Sequence, residues 1–342
     1  MLFSFIIPVY NRPDEVADLV RSMEAQTDKG FEAVFVEDGS TIPSFEARSL
    51  PDGSLAVDGH PDLRLKYFRK ENEGRSIARN YGIVRADGDY LVFIDSDVIL
   101  PPDYVAKLRK ALAANPADCF GGPDAAHESF SPVQKAINYS MTSFLTTGGI
   151  RGGKVSMEKF TPRTFNMGFS REVYDKVGGF REMFSEDIDM STRIRLAGFR
   201  IALYPDVSVY HKRRVDWKKF WKQVHVFGMS RITLELLYPG SMKLVHWLPA
   251  LFTVGATLLI IGSFFWTWLL IPLAVYILAL FIGALISTRS FGIACRAIVA
   301  SMIQLVGYGT GFLKAWFNKI LLRRGRNEKE ELEIRKGKNE GL

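Results

Sequence analysis

A run of 42 residues without a single charged side chain, residues 247–288, constrains this chain more than any other feature. At about 1.5 Å per residue a helix of this length measures roughly 63 Å, close to two crossings of a hydrocarbon core about 30 Å thick. Residues 263–268 can connect two such helices, and Trp266 and Trp268 are typical of anchors at a membrane interface. The run therefore predicts two transmembrane helices rather than a buried hairpin of a soluble core.

Basic residues are concentrated on both sides of the uncharged run, and the whole chain carries a formal net charge of +7. Anionic lipid headgroups attract such a region, whereas a nucleic-acid surface would need an excess of basic residues on the rest of the chain, where acids and bases are mixed. The residues concerned are Lys212, Arg213, Arg214, Lys218, Lys219, Lys222 and Lys243 before the run, and Lys314, Lys319, Arg323, Arg324 and Arg326 after it. The pattern predicts contact with a lipid bilayer and no nucleic-acid partner.

Charge and hydropathy divide the chain into a soluble part, residues 1–215, and a membrane part. The membrane part comprises a basic juxtamembrane or interfacial helix over 216–243, two transmembrane helices over 244–288, an interfacial, re-entrant or third transmembrane helix over 289–320, and a charged cytoplasmic tail over 321–342. The basic tail and the soluble part are both expected in the cytoplasm. An even number of crossings is then required, which favours a multi-pass protein of the inner or plasma membrane with two crossings.

Residues 289–320 are the ambiguous segment of the membrane part. Arg296 and Gln304 lie on one helical stripe, which favours an amphipathic helix at the interface. The Gly-x-Gly-x-Gly pattern from Gly307 to Gly311 is expected to interrupt the helix near its end. An interfacial segment and a third crossing both stay open from the sequence.

Short apolar runs alternate with helical patterns through the soluble part. Strands are expected over residues 3–9, 31–36, 63–69 and 90–94, with helices such as 14–26 and 76–84 between them and a loop over 41–62. This alternation predicts an α/β domain with a mostly parallel central sheet covered on both faces. Ligands bind such sheets beyond the C-terminal ends of the strands, and Asp38 and Asp95 both fall at such ends.

Two carboxylates one residue apart, Asp95 and Asp97, follow the apolar strand over residues 90–94. At a strand end both can point into one site, and their hard oxygens suit Mg²⁺ or Mn²⁺, which also take phosphate oxygens and water as ligands. Such an ion offsets the charge of a departing diphosphate. Because the same pattern is common in surface turns, a metal site needs support from other motifs.

Several further motifs occur in the order and spacing of one known family. They are Ile7-Pro-Val-Tyr-Asn11, Val36-Glu-Asp-Gly-Ser-Thr41, Asn72-Glu-Gly74, Ala78-Arg-Asn-Tyr-Gly82, Ala86-Asp-Gly-Asp-Tyr-Leu-Val-Phe-Ile-Asp-Ser-Asp97, Asn166-Met-Gly168, Val177-Gly-Gly-Phe180 and Ser185-Glu-Asp-Ile-Asp-Met-Ser-Thr-Arg193. With these motifs, residues 3–211 resemble an inverting family 2 glycosyltransferase of the Rossmann-like GT-A fold. The membrane part lies outside the resemblance.

The resemblance implies a site for a nucleotide-diphosphate sugar, with UDP favoured and GDP and dTDP open. Asp38 is expected to hydrogen-bond the base, although Glu37 stands where the family motif has another aspartate. Asp95 is expected at the ribose and the metal, Asp97 at the metal, and His211 near the metal or diphosphate, with a purely structural histidine equally open. The other residues expected at the donor are Pro8, Tyr10, Asn11, Arg75, Arg79 and Arg213.

Glu186 and Asp187 form the candidate catalytic pair. Direct inversion at an anomeric carbon needs one base that takes the proton of the attacking hydroxyl, and the resemblance implies Asp187 for this role. A neighbouring carboxylate can perturb the pKa of such a base. The alternative is that Glu186, Asp187 and Asp189 are helix N-terminal acids, stabilised by the helix dipole.

These observations combine into one leading hypothesis. The chain is expected to be a metal-dependent inverting glycosyltransferase that uses Mn²⁺ or Mg²⁺ and moves a sugar from a nucleotide-diphosphate donor to a membrane-borne acceptor, such as a lipid-linked saccharide, in cell-surface polysaccharide or glycolipid synthesis. A processive polysaccharide synthase is a second hypothesis, although residues 223–231 lack the Arg-Trp pair of the Gln-x-x-Arg-Trp motif. A non-catalytic membrane scaffold with a transferase-like fold is a third.

Overall fold

A computed structural model describes residues 1–49, 55–125, 131–148, 160–211 and 216–322 of the chain. The described residues fall into two compact units. The first unit, which we call the catalytic unit, contains residues 1–49, 55–125 and 160–211. The second, which we call the helical unit, contains residues 131–148 and 216–322.

The strands belong to the catalytic unit. They are β1 (Phe3–Val9), β2 (Phe31–Asp38), β3 (Ala47–Ser49), β4 (Leu55–Val57), β5 (Arg64–Lys70), β6 (Tyr90–Phe93), β7 (Val98–Ile99), β8 (Cys119–Gly121), β9 (Asp124–Ala125), β10 (Met167–Ser170), β11 (Ile201–Leu203) and β12 (Val209–His211).

The helices are divided between the two units. They are α1 (Pro13–Glu24), α2 (Arg75–Ile83), α3 (Tyr104–Ala114), α4 (Pro132–Thr142), α5 (Phe144–Thr147), α6 (Arg171–Val177), α7 (Glu186–Leu196), α8 (Trp217–Leu237), α9 (Leu248–Ser263), α10 (Ile271–Thr288) and α11 (Phe291–Ala315). Short 3-10 turns cover Leu244–His246 and Thr267–Leu270, and a π-helical turn, Trp316–Leu321, continues α11. Helices α4, α5 and α8 to α11 belong to the helical unit.

A nine-stranded sheet in the order β11-β8-β10-β6-β1-β2-β5-β4-β3 forms the centre of the catalytic unit. Strands β6, β1, β2 and β5 are parallel, and β10 runs antiparallel between β6 and β8. A smaller sheet has the order β7-β12-β9. The predicted α/β class with a mostly parallel central sheet is confirmed.

Side chains of β1 alternate between two hydrophobic cores, one on each face of the sheet. Phe5 and Ile7 pack with residues of α1 and α3, whereas Ile6 packs with residues of α2, α6 and α7. The two-residue period of a strand produces this alternation, and helices on both faces bury both sets. Because β1, β2 and β6 are parallel, their C-terminal ends lie at the same edge of the sheet, outside its two packed faces.

The expected loop over residues 41–62 is only partly a loop. Within its described residues β3 pairs antiparallel with β4, which in turn pairs with β5. The aromatic ring of Phe45 lies 5.2 Å from that of Phe35 and 5.0 Å from that of Tyr67. The buried ring of Phe45 anchors the segment that leads into β3 to the central sheet. A composition rich in Pro, Gly and Ser did not indicate this contact.

In the helical unit α11 is unbroken from Phe291 to Ala315, so the expected interruption by glycines is wrong. A side chain at Gly307 would meet Val224 of α8, and one at Gly311 would meet the backbone carbonyl of His225. Gly309 faces Pro249 and Thr253 of α9 in the same way. Small residues let helix backbones approach closely, so these glycines serve packing rather than termination.

Two helical stretches of the described chain, Thr267–Thr288 and Phe291–Leu321, are long and apolar enough to cross a membrane. The remaining apolar helix, α9, has only 16 residues. These lengths are weak evidence for membrane association, and the number of crossings stays a prediction.

Candidate active site

The polar residues predicted from the sequence meet at the C-terminal ends of β1, β2 and β6. Asn11, with a left-handed backbone (φ 51°), connects the first two ends. Its side-chain oxygen accepts hydrogen bonds from the backbone N–H (2.8 Å) and hydroxyl (3.0 Å) of Thr41, and its own N–H donates to Ser40. Pro8 is half-buried in β1 and Tyr10 is exposed. Asn11 thus holds two loops of the candidate donor pocket together.

Asp38 ends β2, and its carboxylate is buried. One oxygen accepts from Lys70 Nζ (2.9 Å) and from the backbone N–H of Glu73 (3.1 Å), and the other accepts from the N–H of Gly74 (2.9 Å). Although burial opposes it, pairing with Glu73 and Asp38 raises the pKa of Lys70. The carboxylate therefore orders the loop that leads into α2, and its predicted contact with a base stays a prediction.

Arg79 of α2 joins two parts of the site that are far apart in sequence. Its guanidinium donates to Asp95 Oδ1 at 2.8 Å and to Glu186 Oε1 at 3.1 Å, while its side chain is only 1% exposed. Arg75, one turn earlier, donates to Glu186 Oε2 at 2.8 Å. The end of β6 and the start of α7 are thereby brought to one place.

Glu186 accepts a hydrogen bond on each carboxylate oxygen and is buried. In this arrangement it orients two guanidinium groups, and its predicted catalytic role stays a prediction. Burial opposes ionisation of Arg75, yet the negative charges of Glu186, Asp95 and Asp187 outweigh it and raise the Arg75 pKa. Arg75 therefore stays a cation paired with Glu186, and its predicted contact with the donor stays a prediction.

Asp187 and Asp189 lie on the first turn of α7 but have different surroundings. Asp187 Oδ1 accepts from the N–H of Ile188 (2.8 Å) and Oδ2 accepts from Arg163 Nη1 (2.9 Å). Asp189 is fully buried and paired with Arg193 (2.9 Å) and Arg181 (3.3 Å). Of these two acids Asp189 fits the structural alternative, whereas Asp187 keeps part of its surface open to a reactant.

Asp95 and Asp97 are the candidate metal ligands. Asp97 Oδ2 accepts from Arg12 Nη1 at 3.0 Å, and Asp95 is about one-third exposed. In the described part of the chain, no group of three or more His, Cys, Asp or Glu side chains is arranged to hold a metal ion. Two carboxylates fit Mg²⁺ or Mn²⁺, because these ions complete their coordination with water and phosphate oxygens.

His211 ends β12, and its backbone pairs with Val98 of β7. Since Val98 directly follows Asp97, the backbone of His211 lies next to the predicted metal residues. The position of its side chain lies outside what the structure describes, as does the whole of Arg213. Their expected contacts with metal and diphosphate stay predictions.

Two arginines at the site were missed in the sequence. Arg12 directly follows the predicted pocket residues Tyr10 and Asn11, so its position in the motif could have indicated it. Arg163 lies 24 residues from Asp187 and in no recognised motif. Only the fold brings Arg163 to the candidate base.

Comparison with known protein families identifies the family of the chain. Residues 4–178, about half of the chain, match the model of glycosyl transferase family 2. The chain therefore belongs to glycosyl transferase family 2. That match includes Asp95 and Asp97 and ends before α7.

Individual relatives resemble different extents of the chain. An uncharacterized glycosyltransferase of Rickettsia conorii is 39% identical over 112 residues, which are 33% of this chain and 17% of that protein. The succinoglycan biosynthesis protein ExoA of Rhizobium meliloti is 27% identical over 323 residues, 90% of this chain and 92% of that protein. The matches cover only 12–17% of the length of the first curated relatives.

A solved structure shares the fold over most of the chain. The mannosyltransferase PcManGT from Pyrobaculum calidifontis, in complex with GDP-Man and Mn²⁺, is similar with a TM-score of 0.55 and 18% sequence identity. The similarity covers 93% of this chain and 87% of that one. At this identity the likeness supports the fold.

Proposed function

We propose that the chain is a metal-dependent inverting glycosyltransferase. It transfers a sugar from a nucleotide-diphosphate donor, with UDP the favoured nucleotide, to a membrane-borne acceptor such as a lipid-linked saccharide. The bridge made by Arg79 between Asp95 and Glu186 carries the proposal, because it unites the strand-end carboxylates with the pair that contains the candidate base. The succinoglycan relative supports a place in cell-surface polysaccharide or glycolipid synthesis.

Asp97 and Asp95 are the residues proposed to hold Mn²⁺ or Mg²⁺, with His211 as a further candidate. When bound, the ion supplies positive charge for the departing diphosphate. The complex of the Pyrobaculum mannosyltransferase with Mn²⁺ supports this choice of cofactor. Arg12 pairs with Asp97 through a half-exposed side chain and can turn towards a diphosphate when the carboxylate binds a metal.

The donor is proposed to lie along the ends of β1 and β2. Asp38 and the neighbouring Pro8, Tyr10 and Asn11 face the nucleoside. Arg75 supplies positive charge to the diphosphate, because its guanidinium is more than half exposed while still held by Glu186. Arg79 positions the carboxylates, and Arg213 is a further candidate for the diphosphate.

Asp187 is the proposed base. The acceptor hydroxyl attacks the anomeric carbon, its proton passes to the Asp187 carboxylate, and the bond to the nucleotide diphosphate breaks. Arg163, which donates to Asp187 Oδ2 at 2.9 Å, orients this carboxylate. Glu186 is proposed to act only through the two arginines that it orients.

A lipid bilayer is the proposed partner of the helical unit, and the catalytic unit is proposed to lie on the cytoplasmic side of the inner or plasma membrane. Large apolar side chains stand exposed along α9 and α10. Basic residues predominate among the described residues of this unit, whose only acids are Asp216 and Glu235. This charge suits anionic headgroups.

The rate of sugar transfer by the Asp187→Asn variant tests whether Asp187 is the base. We expect a loss of about 10²–10⁴ in kcat with an unchanged melting temperature, because the amide keeps the shape but takes no proton. Asp103→Asn, which alters an exposed i,i+4 pair with Lys107, is the matched control and should keep full activity. Full activity of Asp187→Asn would refute the assignment of the base.

A further inference from the structure

The packing of the helical unit bears on how deeply it enters the membrane, and the argument rests on the proposed membrane attachment. Helix α8 is the first constraint. Lys222 and Glu235 lie within it, neither is buried, and the 14 residues from Lys222 to Glu235 span only about 20 Å of helix. A helix crossing a core about 30 Å thick would therefore place at least one of these two charges in lipid, where a charged side chain is costly. Helix α8 consequently lies at the membrane surface.

The C-terminal half of α11 is fixed to α8 along its length. Gly307 packs on Val224, the hydroxyl of Thr310 lies 3.2 Å from His225 Nδ1, and Lys319 Nζ donates to Thr233 at 2.9 Å. The three contacts occur in the same order along α8 and along α11 with its π-helical turn, so the two helices run side by side. Since α8 stays at the surface, residues 307–315 of α11 and the π-helical turn that follows lie at the same level.

The N-terminal half of α11 is fixed to α4 in the same way. Ala294, Ala297 and Ala300 of α11 share a hydrophobic core with Ala136 and Ile137 of α4. Helix α4 has 11 residues, is about 16 Å long and is polar on its other positions, so it cannot cross a membrane. Although α11 is long and apolar enough for a crossing, its neighbours hold both halves at the surface.

The α9–α10 hairpin is the remaining route across the membrane, and both of its arms are anchored to the surface layer of α4, α8 and α11. On α9 the hydroxyl of Thr253 contacts the carbonyl of Leu305 at 3.4 Å. On α10 the carbonyl of Leu280 is 3.5 Å from the hydroxyl of Tyr139. Beyond these anchors each arm has at most ten residues before the connecting turn, a reach of about 15 Å, or half of a 30 Å core.

The tip of the hairpin is apolar and uncharged. Phe264 and Phe265 are 84% and 78% exposed, and residues 264–268 include no charged side chain. A tip that emerged on the far side would place these rings in water. We infer that the helical unit is monotopic: α11 lies in the plane of the membrane, and the α9–α10 hairpin enters one leaflet without crossing to the other side.

Thiol labelling in sealed vesicles of both orientations tests this topology. Cys295 of α11 is exposed and serves as a native reporter, while Cys119 is buried. In a Cys295→Ser background, single cysteines at Asp62, Thr267 and Leu322 report on the catalytic unit, the hairpin tip and the end of α11, respectively. A membrane-impermeant maleimide should label Cys295, Asp62→Cys and Leu322→Cys from the same side. Thr267→Cys should react from neither side until detergent is added.

Four labelling outcomes would overturn the inference. Labelling of Thr267→Cys from the side opposite to Asp62→Cys means that the hairpin crosses, and labelling from the same side means that the tip is not inserted. Labelling of Cys295 and Leu322→Cys from opposite sides, or of either from neither side, means that α11 is not in the plane. Recovery of the protein in the soluble fraction would instead refute the membrane attachment that the proposed function assumes.

Discussion

At the scale of single residues, the first turn of α7 shows what equal residue types can do in unequal surroundings. Glu186 holds two arginines, Asp187 keeps partial exposure, and Asp189 is sealed between Arg181 and Arg193. By sequence alone, all three fit the alternative of acids at a helix N-terminus, stabilised by the helix dipole. Their separation depends on arginines from other parts of the chain, which no local pattern indicates.

Asp189→Asn should destabilise the catalytic unit. The substitution removes the buried carboxylate from two largely buried guanidinium groups, and breaking a buried pair from one side costs about 3–5 kcal/mol. Thermal unfolding followed by circular dichroism measures the change. Asp187→Asn is the control, because its carboxylate is not fully buried; equal melting temperatures for the two variants would contradict the structural role of Asp189.

The free energy of unfolding is expected to fall in alkali because of Tyr67. Burial raises the pKa of its hydroxyl to about 12, with Glu37 adding to the rise and Arg69 opposing it. Because its pKa is raised, Tyr67 keeps its proton to a higher pH in the native state than in the unfolded state. The stability that the protonated hydroxyl contributes is therefore complete below pH 10 and is lost as the pH rises to about 12. The loss amounts to about 2–3 kcal/mol.

The matched variant for this prediction is Tyr67→Phe. It should lose about 1–3 kcal/mol at neutral pH, because Glu37 loses a hydrogen bond of 2.8 Å, yet its unfolding free energy should fall less steeply above pH 10. Urea titrations across the alkaline range measure both slopes. Parallel slopes for the variant and the natural protein would show that Tyr67 is not the titrating group.

At the scale of elements, α11 shows how a glycine pattern can support opposite structures. Gly307, Gly309 and Gly311 resemble breaks when only helix propensity is considered. In the fold they are the points where α8 and α9 come closest to the α11 backbone. Helix continuity was decided by the neighbours of α11, because their packing outweighs the weak intrinsic penalty of glycine.

Gly311→Ala should weaken the helical unit. The added methyl group would overlap the His225 carbonyl, so α8 and α11 must separate, at a cost typical of overpacking, about 1–3 kcal/mol. Gly255→Ala in α9 is the matched control, since a side chain there meets no atom within 4 Å. Thermal unfolding in detergent should show a lower melting temperature only for Gly311→Ala. A stability loss shared by both would indicate a general effect of helix glycines.

At the scale of the whole molecule, the candidate site of the catalytic unit is assembled from parts of the chain that are far apart in sequence. The order of the strands places three strand ends together, and the family model covers the carboxylates of Asp38, Asp95 and Asp97 at this edge. The candidate base lies on α7, outside that match. The donor site and the base are therefore joined by the fold rather than by a continuous motif.

Donor binding should depend on metal. A screen of nucleotide sugars should find one that raises the melting temperature with Mn²⁺ or Mg²⁺ and not with chelator, because a ligand specific to the native state adds about 2.7 kcal/mol at 100 times its Kd. Asp97→Asn should lose this shift while keeping the melting temperature of the ligand-free protein. A donor that stabilises equally with chelator would contradict the metal dependence.

The sequence alone determined the α/β class, the strand ends that carry Asp38, Asp95 and Asp97, and the apolar segment near the C-terminus, because periodicity and hydropathy are properties of neighbouring residues. Only the tertiary structure decided that Arg79 joins Asp95 to Glu186, which lies 107 residues from Arg79 in the sequence. The same holds for the contact of Arg163 with Asp187 and for the packing of α4 and α8 against α11. The physical reason is that charge pairing and helix packing depend on which distant surfaces meet, and no local pattern specifies that.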